Sequence, residues 1–291
     1  MTALLQTDPT LPRLPTEDDL PDTDHQPVDN ELQLLVPFLL QAILLLAWAK
    51  RRDWFMGVNL GVYPAPRQPA IGPDAFLALG VERIRQNSKL RKSYVVWQEG
   101  VIPQWVLEVV SQTPGGEYDR GRPGKNESGK LLRYAEMGVL YYTIYNPTYS
   151  QRDGHDPFEV YRLIDGIYVQ QTGNPVWMPE IGLGIGTAQG NHKGYTREWL
   201  YWYDEQGNRY PVPETVLQRE RQARTQLEQQ LWQEQQRADQ EQQRADQEQQ
   251  RAEQEQQLRQ ELESQLEQQR QRVERLAEQL RALDIDPEKV D

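Results

Sequence analysis

The sequence predicts an α/β domain with a mixed sheet core flanked by helices, followed by a long C-terminal α-helical or coiled-coil arm. Three observations predict it. Apolar runs at 105–110 and 140–145 enclose a loop and an amphipathic segment ending at Gly138, the order strand, loop, helix, parallel strand. Residues 158–163 and 167–171 alternate apolar and polar side chains around Asp165-Gly166, as an antiparallel hairpin with one wet face does. At Pro213 the composition turns abruptly to Gln, Glu and Arg with a seven-residue repeat.

The elements follow in order. Residues 1–30 hold seven acids against one Arg and many prolines, and show no apolar period, so 1–28 read as a disordered acidic tail. Asp29 or Asn30 can cap a helix over 31–50, whose apolar faces suit packing on a sheet. Residues 54–63 and 70–79 read as strands separated by the Pro-rich turn 64–69. The runs 94–97 and 105–110 look buried on both faces, 112–127 is a loop rich in Gly and charge, and 128–137 is a helix that Gly138 ends. Residues 182–194 read as a Gly-rich loop and 199–203 as a closing aromatic run, which bounds the main domain at 29–212.

The arm, 213–285, fits one heptad register, with 286–291 as a short tail. Leu217, Leu231, Ala238, Ala245, Ala252, Leu266, Val273 and Leu280 occupy position a, together with Arg224 and Arg259. Position d holds Leu227, Leu262 and Leu276, but Glu at 234, 241, 248 and 255. Ala against Glu buries little and repels across a pair, so a long solvated helix is expected, with a homodimeric parallel coiled coil near 262–283.

Composition limits the chemistry. With no Cys and only His25, His155 and His192, thiol nucleophiles and Cys or His zinc sites are out, and a cytoplasmic location is expected. Any metal would take oxygen ligands, which favours magnesium, with manganese the alternative. The net charge of −12 divides into −6 for 1–30, −6 for 216–291 and a balanced middle, so a local basic cleft for nucleic acid remains open. The dense basic run Arg83, Arg85, Lys89, Arg91 and Lys92 reads as a solvated loop. The apolar stretch 34–49 is too short to span a bilayer and predicts no membrane partner.

Glu108 is the residue that asks for a partner, because a carboxylate inside an apolar strand costs several kcal/mol unless compensated. Asp74 follows Pro73 on another strand, and Lys130 opens the helix after the loop. Two carboxylates and a lysine at one sheet edge would make an oxygen-ligand metal site for a phosphodiester. The residues alone leave open that Asp74 is a turn acid and Lys130 a solvated lysine. Residues 124–130 match the spacing G-x-x-x-x-G-K, but Leu131 stands where a Mg²⁺-binding hydroxyl belongs, so no nucleotide cofactor is expected.

Three motifs together carry a resemblance: Ile71-Gly-Pro-Asp74-Ala-Phe-Leu-Ala-Leu-Gly80, Val106-Leu-Glu108-Val-Val-Ser111, and Lys130-Leu-Leu-Arg-Tyr134-Ala-Glu-Met-Gly138 running on to Pro147. In order and spacing they resemble the Uma-type restriction endonucleases abundant in cyanobacteria, within the PD-(D/E)XK nuclease superfamily, over about residues 29–205; the ending 281–287 is similar too. The resemblance implies a restriction-endonuclease-like core and a Mg²⁺-dependent DNA endonuclease. It implies Asp74 and Glu108 as metal ligands with the Val109 carbonyl as a third, Lys130 as catalytic lysine, and Tyr134 in support. The superfamily lysine usually stands two residues after the acid, where this chain has Val110. With the long Gly-rich loop, that makes Lys125 a rival and Asp119 an accessory candidate, and leaves a catalytically inactive nuclease-fold scaffold acting through the arm as the alternative.

Overall fold

Burial decides which of the apolar runs become strands, and the computed structural model describes residues 13–21, 30–85, 89–113, 115–120 and 129–282. The chain divides into two compact units, 1–216 and 217–291. In the first, helix α1 (Leu32–Ala47) is followed by β1 (Trp54–Val58), β2 (Val62–Tyr63), β3 (Ala75–Leu79), β4 (Tyr94–Val95), the short α2 (Val96–Glu99) and β5 (Trp105–Val109). Then come α3 (Lys130–Met137), β6 (Tyr141–Tyr145), the single turn α4 (Ser150–Asp153), β7 (Phe158–Ile164), β8 (Ile167–Gln171), β9 (Val176–Met178), β10 (Leu183–His192) and β11 (Tyr195–Tyr203).

The main sheet runs in the order β1-β3-β5-β6-β7-β8. Strands β5 and β6 are parallel, with Glu108 opposite Ile144, and the other neighbours are antiparallel, so the sheet is mixed. Alternation along each strand gives two apolar layers. Ala75, Leu77, Trp105, Leu107 and Val109 face α1 and the β9–β11 sheet, where Trp202 packs edge-on against Trp105 at 4.8 Å. Phe76, Ala78, Val106 and Val110 face the other way, onto Leu131, Tyr134 and Met137 of α3.

Asn30 Oδ1 accepts the Leu32 and Gln33 N–H groups at the start of α1, as one of the two candidate caps would, and Asp29 lies outside the described residues. Several elements differ from the sequence reading, each for a physical reason. The strand read over 54–63 breaks at Asn59, whose φ of 47° is left-handed. The Gly-rich stretch 182–194 is mostly strand, since β10 pairs with β11 from Gly184 to His192. Its glycines serve close packing: a Cβ on Gly186 would stand 2.8 Å from Pro175 Cα.

Residues 13–21 are not a disordered tail. Thr16 N–H donates to Asp19 at 2.7 Å within a turn, and the segment is held to the domain through Trp97, Tyr63, Arg85 and Lys92. The basic run is solvated only in part: Arg83, Lys89 and Lys92 are exposed, while Arg85 and Arg91 are held in. Arg91 is nearly buried, ion-paired to Glu99 at 2.9 Å and stacked 4.2 Å over Phe55. The rest of the tail lies outside the described residues.

The second unit is carried through Ala282 by helix α5 (Pro213–Ala282), 70 residues long. Leu262, Leu266, Val273 and Leu276 are all more than half exposed. No described helix is long and apolar enough to cross a membrane, and α1 is instead buried against the sheet.

Candidate active site

Strand parity builds the site. Asp74 precedes β3 and shares its face with Phe76 and Ala78, while Glu108 shares its face with Val106 and Val110, so both acids project toward α3. At Asp74 the β3–β5 pairing gives out, and the side chain continues it: Asp74 Oδ2 accepts the Val109 N–H at 2.6 Å. The Asp74 carbonyl accepts from Asn59 N–H at 3.0 Å, which holds the turn.

Helix α3 supplies the cation. Lys130 is its first residue, and Nζ stands 2.9 Å from Glu108 Oε2; one turn on, the Tyr134 hydroxyl donates to Glu108 Oε1 at 2.6 Å. Both oxygens of a carboxylate that is 1 % exposed are thus occupied. Gly138, at φ 88°, ends the helix and takes the Tyr134 carbonyl onto its N–H. At the other end the Lys130 N–H donates to the Gly116 carbonyl at 3.0 Å, and a Cβ on Gly129 would overlap the Asp119 carbonyl. The loop 115–119 therefore fixes where α3 begins.

That loop carries a residue the sequence reading did not single out. Glu117 is buried, its Oε1 lies 3.6 Å from Lys130 Nζ, and its Oε2 accepts the Gly115 N–H at 3.0 Å. An acid in a Gly-rich loop gives no periodic signal. Gln33 is a second such residue: from α1 it donates to the Val109 carbonyl at 3.2 Å. Lys125 lies outside the described residues. Asp119 is exposed, and its carbonyl and Cβ lie against Gly129 at the helix start.

Charge is the dominant feature. Asp74, Glu108 and Glu117 face one ammonium. Burial, then the charge of Glu108, pushes the Asp74 carboxyl well above its usual range. Burial likewise raises Glu108 despite Lys130 and Tyr134. Burial alone would lower Lys130, but the attraction of Glu108 and then Glu117 outweighs it and the ammonium is held more firmly than usual. Burial also raises the Tyr134 phenol, so its hydroxyl stays a donor.

Among the described residues no group of three or more His, Cys, Asp or Glu side chains is arranged to hold a metal. The donor set at hand is two carboxylates and the Val109 carbonyl, which keeps a lone pair beside the Gln33 bond. These are hard oxygen donors, and the burial and then the neighbouring negative charge that drive Asp74 toward its neutral form are what a divalent cation would compensate, so the residues fit such an ion.

No curated protein and no solved structure matches the chain. The model of the Uma2 family, described as putative restriction endonuclease, matches residues 25–190. That span contains α1, Asp74, Glu108, Lys130 and the whole six-stranded sheet. With the mixed sheet, the parallel β5–β6 pair and both acids inside the matched span, the chain belongs to the Uma2 family, described as putative restriction endonuclease.

Proposed function

We propose that the chain is a divalent-metal-dependent DNA endonuclease, with Mg²⁺ or Mn²⁺ held by Asp74, Glu108 and the Val109 carbonyl. The observation that carries this is the convergence of Lys130 and Tyr134, both from α3, on the two oxygens of buried Glu108 next to Asp74. A divalent cation bound there would supply Lewis-acid activation of water and of the phosphodiester. The protein's own contributions follow from its contacts. Tyr134 and Lys130 fix the orientation of Glu108. Lys130, held protonated, has no lone pair to take a proton from water, so its role is to balance negative charge on the phosphate as it builds.

Plasmid DNA incubated with the purified protein and Mg²⁺ should be nicked, and Asp74→Ala or Glu108→Ala should abolish nicking. Equal nicking by wild type and both variants would mean a contaminating nuclease.

A second reading is a catalytically inactive scaffold that works through the arm as a homodimer. The row of exposed Leu262, Leu266, Val273 and Leu276 favours it, because single-helix spacers do not need one. Its test is a biological effect retained in Asp74→Ala, Glu108→Ala but lost on deleting residues 214–291. A monomer at tens of micromolar by ultracentrifugation would end the dimer.

A further inference from the structure

The segment 13–21 lies over a face of the domain that is rich in donors. Asp18 pairs with Lys92 at 2.9 Å and Glu17 pairs with Arg85. The indole N–H of Trp97 donates to the Pro15 carbonyl at 3.0 Å, and the Tyr63 hydroxyl to the Pro21 carbonyl at 2.7 Å. Beneath these contacts Arg85 and Arg91 share the single carboxylate of Glu99. Three cations thus stand against Glu99, Glu17 and Asp18, and with the segment's two acids taken away Arg85, Arg91, Lys92 and Glu99 together sum to +2.

What holds the segment is polar. Leu14 is 54 % exposed, and neither it nor Leu20 joins an apolar cluster, whereas a segment kept for stability would bury such side chains. Glu17 is itself poorly served: it is 7 % exposed, yet its Oε2 has no hydrogen-bond partner among the described residues. A half-satisfied buried carboxylate weakens the docked state relative to release. Carboxylates on successive residues set against cations, with backbone carbonyls against aromatic N–H and O–H donors, present the features of a nucleic-acid backbone.

We propose that the Arg85–Lys92–Trp97 face binds the phosphate backbone of DNA, and that residues 13–21 occupy it as an intramolecular anionic stand-in. This rests on the reading that DNA is the substrate class, but not on catalysis. Binding of DNA and docking of the segment are then mutually exclusive, so the affinity of the full chain is held down by its own N-terminal region.

The test is fluorescence anisotropy of a labelled DNA duplex with the full chain, divalent ions chelated so that binding is read apart from cleavage. Glu17→Ala, Asp18→Ala should tighten binding on the order of tenfold. It should also steepen the dependence of log K on log salt by about 1.8, two charges at about 0.9 each. Glu17→Gln, Asp18→Asn, which keeps the side-chain shapes, should shift both in the same direction. Adding Arg85→Ala and Lys92→Ala should erase the gain.

Unchanged affinity and slope would overturn the proposal. So would an equal gain from Asp156→Asn, Glu205→Gln, which removes two charges elsewhere on the surface, or a gain that survives loss of Arg85 and Lys92. Tighter binding without cleavage under Mg²⁺ would support the surface while sinking the catalytic reading. No binding by any variant would overturn the surface whatever the cleavage assay gives.

Discussion

Replacing Lys130 by Met keeps most of the stem and removes the ammonium that serves both Glu108 and Glu117. Glu108, 1 % exposed, then has the Tyr134 hydroxyl alone against its charge. Breaking a buried pair by removing one partner costs about 3–5 kcal/mol, and because the Lys130 side chain is 24 % exposed the lower end applies, about 3 kcal/mol. With a urea m-value of about 3 kcal/mol/M for a domain of this size, the midpoint should fall by about 1 M. The loss depends on pH. Burial holds the folded Glu108 carboxyl above its usual value, and losing the cation raises it further. An acid whose folded pKa lies above its unfolded one binds its proton more tightly when folded. Its contribution is full below the unfolded value and disappears as pH rises through the folded one. Lys130→Met should therefore unfold close to wild type near pH 5 and well before it near pH 8. Tryptophan fluorescence reads the domain, since seven of the eight tryptophans precede residue 213. A midpoint shift equal at both pH values would refute the account.

Asp74→Asn should stabilise the metal-free protein. Asn keeps an acceptor for the Val109 N–H and removes a carboxylate whose pKa burial and Glu108 push upward, a group that weakens the fold as pH rises. A gain of about 1 kcal/mol at neutral pH, or about 2–4 °C in melting temperature, is expected by calorimetry, together with loss of Mg²⁺-dependent nicking. A lower melting temperature at neutral pH would remove the repulsion argument. Gly186→Ala tests β10: its Cβ would stand 2.8 Å from Pro175 Cα, and overpacking of this kind costs about 1–3 kcal/mol. Urea unfolding unchanged from wild type would return 182–194 to a loop.

How much of this was legible in the sequence depended on whether a residue sits in a periodic element. Glu108 stood out because every neighbour in β5 is apolar, and the βαβ order around it follows from two apolar runs and Gly138. The step of two from Asp74 to Phe76 and Ala78, and from Glu108 to Val106 and Val110, places both acids on the α3 face, where Lys130 meets Glu108. Glu117 and Gln33 were invisible for opposite reasons. Glu117 lies in a loop whose path no pattern dictates, and Gln33 is one polar residue on a helix otherwise read for its apolar faces. Strand β10 was hidden because glycine there serves close approach to Pro175 and Tyr203, which local propensity counts as a loop. Residues 13–21 were misread because composition registers their acidity but not the cations 68 and 74 positions away that meet it.

The displaced lysine is explained by the same geometry. Residue 110 points to the same face as Glu108, so a lysine there would emerge inside the apolar layer formed by Val110, Leu131 and Ile144. The proposed chemistry needs an ammonium at a place, not at a sequence position, and α3 brings Lys130 to Glu108 from across that layer. The consequence is a dependence that a strand-borne lysine would not have. Lys130 reaches Glu108 only while α3 starts where it does, which rests on the Gly116 carbonyl and on the bare Cα of Gly129 against Asp119. The loop that provides these is tied in turn to the sheet, by the Tyr142 hydroxyl on the Glu117 carbonyl at 3.0 Å and by Asn146 on the Tyr118 hydroxyl at 3.1 Å. Strand β6 and the residue after it thus help to set the position of the catalytic candidate, and Glu117, ion-paired to Lys130 from within the loop, joins the two.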